Sequence, residues 1–327
     1  MRYSLALACA MMATPIAAQE LNVVTDTPVT HSIVSMVMGD LGSAELLLDR
    51  GGDPHSFQLR PSQARSLADA DLIFWIGEEL TPWMARALAG IEAQGDVVTL
   101  IRAEGLHLQG FAEGHSHDDH GHDDHAHGDH SHDDHGHDDH AHGDHSHDDH
   151  GHSHDGNDPH VWMNTGNVAI WLEKIAEELG EHDPDNAAAY RANAEAALAR
   201  IEDLSNEISS ILEPASTAPL VMFHDAYGYL ADQFGINVAG TIALGDAAAP
   251  GAQRLTELRA DLQADGAVCI FPEVNHSSRY IDMVVEGTGV RVGAELDPAG
   301  VTLEPGTELY PTLMRNMAQA IADCVAG

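Results

Sequence analysis

Basic residues are scarce in this chain: 14 Lys and Arg stand against 53 Asp and Glu in 327 residues, for a formal net charge of −39. That balance excludes a nucleic-acid partner, whose phosphates require cationic side chains. It favours a cation, which a negative field concentrates. Long apolar runs are missing too. Beyond the first eighteen residues, no stretch approaches the ~20 residues that a membrane helix needs. Cysteine is limited to Cys9, Cys269 and Cys324, with no CxxC pair of the kind that builds thiolate zinc sites. The HExxH signature of a helical zinc hydrolase is also absent.

Those first eighteen residues read as a secretory leader. Met1 and Arg2 give a short positive start, LALACAMM is the apolar segment, and small residues end it at Ala17-Ala18, where cleavage is expected. Cys9 could mark a lipoprotein. Only six residues separate it from Arg2, however, with Ala6 three before it, so it is expected to leave with the leader. The mature product should be a soluble protein of a Gram-negative periplasm. Two cysteines remaining in an exported chain read as one disulfide. Cys269 lies in the apolar run AVCIF and Cys324 in the final helix, so the bridge would fasten that helix to a sheet. A pair of buried free thiols is the alternative.

Histidine is what the chain has in abundance: 24 residues, 17 of them between His115 and His154. The unit HSHDDHGHDDHAHGD fills 115–129 and recurs at 130–144, and a third copy starts at His145 and breaks off after HSHDDHGH. Residues 115–154 carry twelve Asp and no Glu, Lys or Arg, leaving −27 for the rest of the chain. Ala126 and Ala141 are their sole apolar residues, so the segment cannot bury a core. A disordered loop over 113–157 is expected. Its candidate metal-binding residues are His115, His117, His120, His122, His125, His127, His130, His132, His135, His137, His140, His142, His145, His147, His150, His152 and His154. Near-identical half-sites of this kind bind several ions weakly and exchange them fast. That suits an auxiliary part that collects zinc, senses its supply or passes it on.

Two similar halves flank the repeat. In the first, Leu21 to Thr25, Ala44 to Leu48, Leu72 to Ile76 and VVTLI read as strands, separated by helical stretches such as HSIVSMVMGDLG and PSQARSLADA. LIFWI is fully apolar, as buried parallel strands are. The second half repeats this logic with Leu220 to Phe223, Ala267 to Phe271 and Val290 to Gly293, and closes on a helix from Leu309 to Val325. Between them lie an amphipathic helix, Asn164 to Gly180, and a long one, roughly Pro184 to Leu212, with Tyr190, Ala194, Ala197, Leu198, Ile201, Leu204, Ile208 and Ile211 at three- and four-residue steps. The predicted class is α/β: two lobes of (β/α) units with central, mostly parallel sheets, joined by one long rigid helix. The expected boundaries are a leader at 1–18, an N-terminal lobe at 19–164 containing the repeat, a linker at 165–214 with the long helix, and a C-terminal lobe at 215–327.

Seven histidines lie outside the repeat. His55 sits in the turn GGDPHSF after the strand ending at Leu48, and His224 follows directly on LVMF. His160 stands in NDPHVWMN, just past the repeat. Open α/β sheets bind ligands beyond the carboxyl ends of their strands, where His55 and His224 fall. Three imidazoles from separate segments can converge on one Zn²⁺. Asp225 could orient the His224 ring or cap the following helix. His31, His107, His182 and His276 read as solvated or capping residues.

The pieces GGDPHSFQLRPSQARSLADADLIFWIG, DPHVWMN, VMFHDAYGYLADQFG, PGAQRL and ELDPAG resemble the zinc-specific solute-binding proteins of bacterial ABC importers, the ZnuA type, over essentially the whole mature chain. The resemblance implies one zinc in a cleft between two lobes, held by His55, His160 and His224, a C-terminal disulfide between Cys269 and Cys324, and a membrane permease as partner. It implies capture for transport, not catalysis. A periplasmic zinc chaperone is a further candidate partner, and a monomer is expected. Some relatives carry Glu before the first His, but this chain has Pro54 there. The fourth ligand is therefore Asp297, in ELDPAG, or water. Manganese relatives carry Glu at the position of His224; three imidazoles suit zinc better. The competing readings are a zinc buffer or chaperone working through the repeat, a manganese transport protein of the same fold, and a three-His zinc enzyme.

Overall fold

The computed structural model describes residues 21–91, 93–111, 156–243, 250–264 and 266–327. The expected leader and the His/Asp repeat lie outside the described residues. Two four-stranded, wholly parallel sheets organise the chain. The first has the order β2-β1-β3-β4 and is built from β1 (Val23–Thr25), β2 (Ala44–Leu46), β3 (Leu72–Trp75) and β4 (Asp96–Thr99). Its connecting helices are α1 (Pro28–Met38), α2 (Pro61–Asp69) and α3 (Pro82–Gly90), each opening on a proline, whose fixed φ and missing N–H suit a first helical turn.

After the repeat come α4 (Thr165–His182) and α5 (Ala187–Leu212). The second sheet has the order β6-β5-β7-β8, from β5 (Pro219–Met222), β6 (Asn237–Thr241), β7 (Cys269–Ile270) and β8 (Arg291–Val292), linked by α6 (Gly228–Phe234), α7 (Ala252–Ala264) and α8 (Arg279–Val285). The chain closes on α9 (Leu309–Ala326). Both sheets thus place their first strand second in order, the same topology built twice. No helix among the described residues is long and apolar enough to cross a membrane.

With 26 residues, α5 spans about 39 Å at ~1.5 Å per residue. Its buried stripe, Tyr190, Ala194, Ala197, Ile201, Leu204, Ile208 and Leu212, faces α1, α4 and α9. The main hydrophobic core runs unbroken from β1 and α1 through α4 and α5 to β5 and α9. Smaller cores cover the outer face of each sheet.

Three details depart from the sequence reading. The long helix begins at Ala187 and not Pro184, because 183–186 form a turn in which Asp183 Oδ2 accepts from Asn186 Nδ2 (2.7 Å) and from the Tyr190 hydroxyl (3.0 Å). The helix before it runs through Gly180 to His182. The strand β6 carries no strong sequence signal; NVAGT is an edge strand with a glycine, and its pairing with β5 shifts register between Leu220 and Val221. The disulfide Cys269–Cys324 is present and ties β7 to α9.

Candidate metal centre

The carboxyl ends of the strands converge on one cleft. His55 comes from the loop after β2, His224 from the second residue beyond β5, and His160 from the residue that opens the turn Val161–Met163 ahead of α4. The three rings meet: centroids are 5.4 Å apart for His55–His160, 6.0 Å for His55–His224 and 5.2 Å for His160–His224. One nitrogen of each lies within 4.8 Å of the others. The Nε2 atoms of His160 and His224 stand 3.4 Å apart. Two nitrogens on one tetrahedral zinc, at bonds of about 2.0–2.1 Å, lie about 3.3–3.4 Å apart. The pair is therefore already at ligand spacing.

Two of the rings are held by carboxylates. His160 Nδ1 lies 2.7 Å from Asp158 Oδ1, and the His160 backbone N–H donates to the same oxygen at 2.9 Å. Asp158 is fixed in turn, its N–H donating to Gln109 O (2.9 Å) and its carbonyl accepting from the Tyr229 hydroxyl (2.8 Å). His224 Nδ1 lies 2.5 Å from Glu273 Oε2, while Glu273 Oε1 accepts from the Tyr227 hydroxyl at 2.9 Å. A carboxylate at Nδ1 keeps the proton there and leaves the Nε2 lone pair for a metal. His160, His224, Asp158 and Glu273 are all buried, so these bonds are shielded from water.

The loop of His55 is pinned differently. Trp83 Nε1 donates to the Pro54 carbonyl (2.7 Å), and Asp53 accepts from the His55 N–H (2.9 Å) and the Ser56 hydroxyl (2.7 Å). Burial pushes the His55 pKa well below 6.5, with His160, His224 and His276 adding to the effect. The ring is thus neutral and able to bind metal at ordinary pH. Burial alone would raise the pKa of Glu273, yet the His224 ring and the Tyr227 hydroxyl bring it below its ordinary value. Burial, and Glu273 beside it, push Tyr227 well above 10, so its hydroxyl stays a donor.

The space between the rings is small, about 30 Å³. That is room for an ion or a water, far below the ~300 Å³ of an organic-ligand pocket. Asp297 lines it, but its carboxylate is engaged: Oδ1 accepts from Val301 N (2.9 Å), and Oδ2 from Thr302 N (2.8 Å) and Thr302 Oγ1 (2.6 Å).

Two readings of single residues need correction. The carboxylate on His224 Nδ1 belongs to Glu273, not to the adjacent Asp225. His276, read as a solvated loop residue, lines the same cavity, stacks on Phe223 (4.3 Å, 17°) and forms a second group of ligand atoms with His224 and Glu273. Glu273 had a sequence signal: FPE follows β7 much as the FH of VMFHDAYGY ends β5, so the strand-end rule that picked out His224 applies to it equally. Of the remaining histidines, His107 pairs with Asp232 (3.1 Å) and His182 with Asp96 (3.1 Å), away from the cleft. His31 lies within α1, where burial pushes its pKa down.

A water-sized pocket of imidazoles between two parallel sheets, spanned by a long helix, defines a metal-binding solute-binding protein. Comparison with known proteins narrows the class. The family model described as zinc-uptake complex component A, periplasmic, matches residues 23–324. The high-affinity zinc uptake system protein ZnuA of Paracoccus denitrificans is 52% identical over 324 residues, covering 98% of each chain. Its Brucella suis counterpart is 38% identical over 333 residues, covering 99% of this chain and 98% of that one. A crystal structure of ZnuA shares the fold, with a TM-score of 0.70 at 22% identity over 93% of this chain and 99% of that one. The chain belongs to the ZnuA family, the periplasmic components of zinc uptake systems, which are transport proteins and not enzymes.

Proposed function

We propose that this protein captures Zn²⁺ in the periplasm and delivers it to the membrane permease of an ABC importer, with His55, His160 and His224 as the ligands of the transported ion. The observation that carries this reading is the convergence of three ring nitrogens within 4.8 Å in a buried, water-sized space. An all-nitrogen donor set favours zinc over manganese, which prefers oxygen. Asp297 already caps its own turn, so water is the better fourth ligand. Zinc needs neutral imidazoles, so affinity should fall as pH drops toward and below the ordinary His value of ~6.5. Because His55 is shifted down, that ligand stays competent further into acid.

The finer parts of the reading follow the sequence. Residues 1–18 direct export, the mature chain works as a monomer, and its division at 164 and 214 gives two lobes with a helical linker. The repeat at 115–154 collects zinc for the pocket or exchanges it with a chaperone; its end lies only six residues before His160.

Zinc titration of the mature protein tests the assignment. The expected result is one tight ion per chain, with His55→Ala, His160→Ala and His224→Ala each weakening it by more than the roughly 10–100-fold that losing an outer hydrogen-bond partner costs. Deleting 113–157 should remove weak, fast-exchanging ions and leave the tight one. Unchanged affinity in all three alanine variants would sink the ligand set. Loss of the tight ion on deleting the repeat would hand the function to a buffer.

A further inference from the structure

The second group of ligand atoms, His224, Glu273 and His276, is not absorbed by the three-imidazole pocket. It shares His224 with that pocket and extends outward from it. His276 is 29% exposed, whereas Glu273 is 1% and His224 5% exposed in their side chains. The group thus runs from solvent to the buried site through three metal-binding side chains.

His276 is placed, not loose. Its ring lies flat on Phe223, and the preceding Asn275 adopts a left-handed backbone (φ 69°), rare outside glycine. Asn275 Nδ2 reaches across to Gly52 O at 3.4 Å, on the loop that carries His55. Among the described residues no hydrogen bond reaches the ring nitrogens of His276. Its Nε2 stands 4.0 Å from Glu273 Oε2. That is too far for a hydrogen bond and somewhat beyond the ~3.4 Å that two donors on one tetrahedral zinc keep, so a small turn of the His276 ring would bring it to ligand spacing.

We propose that His276 and Glu273, together with the shared His224, form an outer zinc position through which the ion reaches and leaves the His55, His160 and His224 pocket. The proposal rests on the zinc-capture reading above and adds a route to it. An ion arriving with its water shell exchanges one water for His276 at the mouth. Glu273 supplies the oxygen that neutralises charge during the step. His224 then serves both positions, so the ion moves inward by swapping one ligand at a time and is never bare in the cleft. Release follows the same steps in reverse. Besides metal–ligand bonds, the step breaks and then re-forms one hydrogen bond, from His224 Nδ1–H to Glu273 Oε2; the proton stays on Nδ1, and His224 uses Nε2 in both positions.

The test uses the mature full-length protein carrying one equivalent of Zn²⁺. Stopped-flow mixing with excess EDTA measures release, and mixing the apoprotein with a zinc-loaded fluorescent chelator measures capture. His276→Phe keeps the stacking on Phe223 and removes the donor; His276→Cys restores a donor. The phenylalanine variant should keep one ion per chain, with both rates falling in parallel by about tenfold or more. The cysteine variant should recover most of the lost rate. Wild-type rates in the phenylalanine variant would overturn the proposal. An affinity loss in that variant as large as that of His55→Ala would overturn it too, by making His276 a ligand of the inner site. Failure of the wild-type protein to bind zinc tightly would remove the functional reading itself, so the two failures are told apart.

Discussion

At the scale of single residues, the site depends on where two protons sit. His160 and His224 are useful to a metal only if Nδ1 keeps its proton and Nε2 keeps its lone pair, and Asp158 and Glu273 enforce that state at 2.7 and 2.5 Å. Glu273 is the more exacting of the two because Tyr227 holds its second oxygen at 2.9 Å. Glu273→Gln preserves shape and one acceptor but removes the charge that favours an electron-rich ring. Its amide can also turn an N–H toward Nδ1, selecting the wrong tautomer. We expect zinc affinity to fall about 10–100-fold with one ion per chain retained, measured by competition with a chelator of known affinity. Affinity equal to wild type would show that Glu273 is only a packing residue. The three histidines that meet in the cleft were legible in the sequence because each stands at a strand end or beside the repeat, in a motif that can be matched. Their carboxylate partners were less so: Glu273 is 49 residues from His224 along the chain. Proximity across two strands is a product of the sheet order β5-β7, which local patterning does not reveal.

Elements were read well where their physics is local. LIFWI had to be a buried strand, and PSQARSLADA, read as helical, forms the helix Pro61–Asp69. NVAGT was not read at all, since an edge strand with one glycine lacks both alternation and an apolar run. The disulfide acts at this scale. β7 has only two residues in its ladders with β5 and β8, so pairing alone anchors it weakly, and Cys269 ties it to α9. The bridge closes a separation of 55 residues, for which loop-closure entropy gives about 4 kcal/mol. Replacing both cysteines by alanine should lower the apoprotein melting temperature by roughly 10 °C, read by calorimetry. Zinc affinity measured well below the new transition should be retained, because His55 and His160 sit on other elements. A melting temperature within a degree or so of wild type would show that β7 is secured by packing alone.

For the whole molecule, the question is how far the halves can move when an ion binds. They are not joined by a flexible linker. α5 runs about 39 Å with its buried stripe in a core continuous from β1 to α9. α9 follows the second sheet yet packs on α1 of the first half, where Tyr310 N–H donates to Ser32 Oγ at 3.1 Å. Further links cross beside the cleft: Trp162 Nε1 to Pro298 O (3.0 Å), the Tyr310 hydroxyl to Trp162 O (2.9 Å), Gly51 N to Val301 O (2.9 Å), and Arg50 to Thr302 O (2.8 Å) and Glu304. Wide hinge closure would break these bonds and shear a close-packed core, whereas a water-sized pocket needs only the side chains around it to tighten. Hydrogen exchange on apo and zinc-loaded protein should therefore show added protection confined to 49–60, 156–163, 223–227, 271–276 and 294–301, the segments that carry or back the histidines of the cleft. The amides of α5 should exchange at the same rate in both states, since the spine has no differential contact with the ion. Slower exchange along α5 on zinc binding, or a compaction visible by small-angle scattering after deletion of 113–157, would mean that the lobes close as bodies and that release to the permease needs the spine to bend.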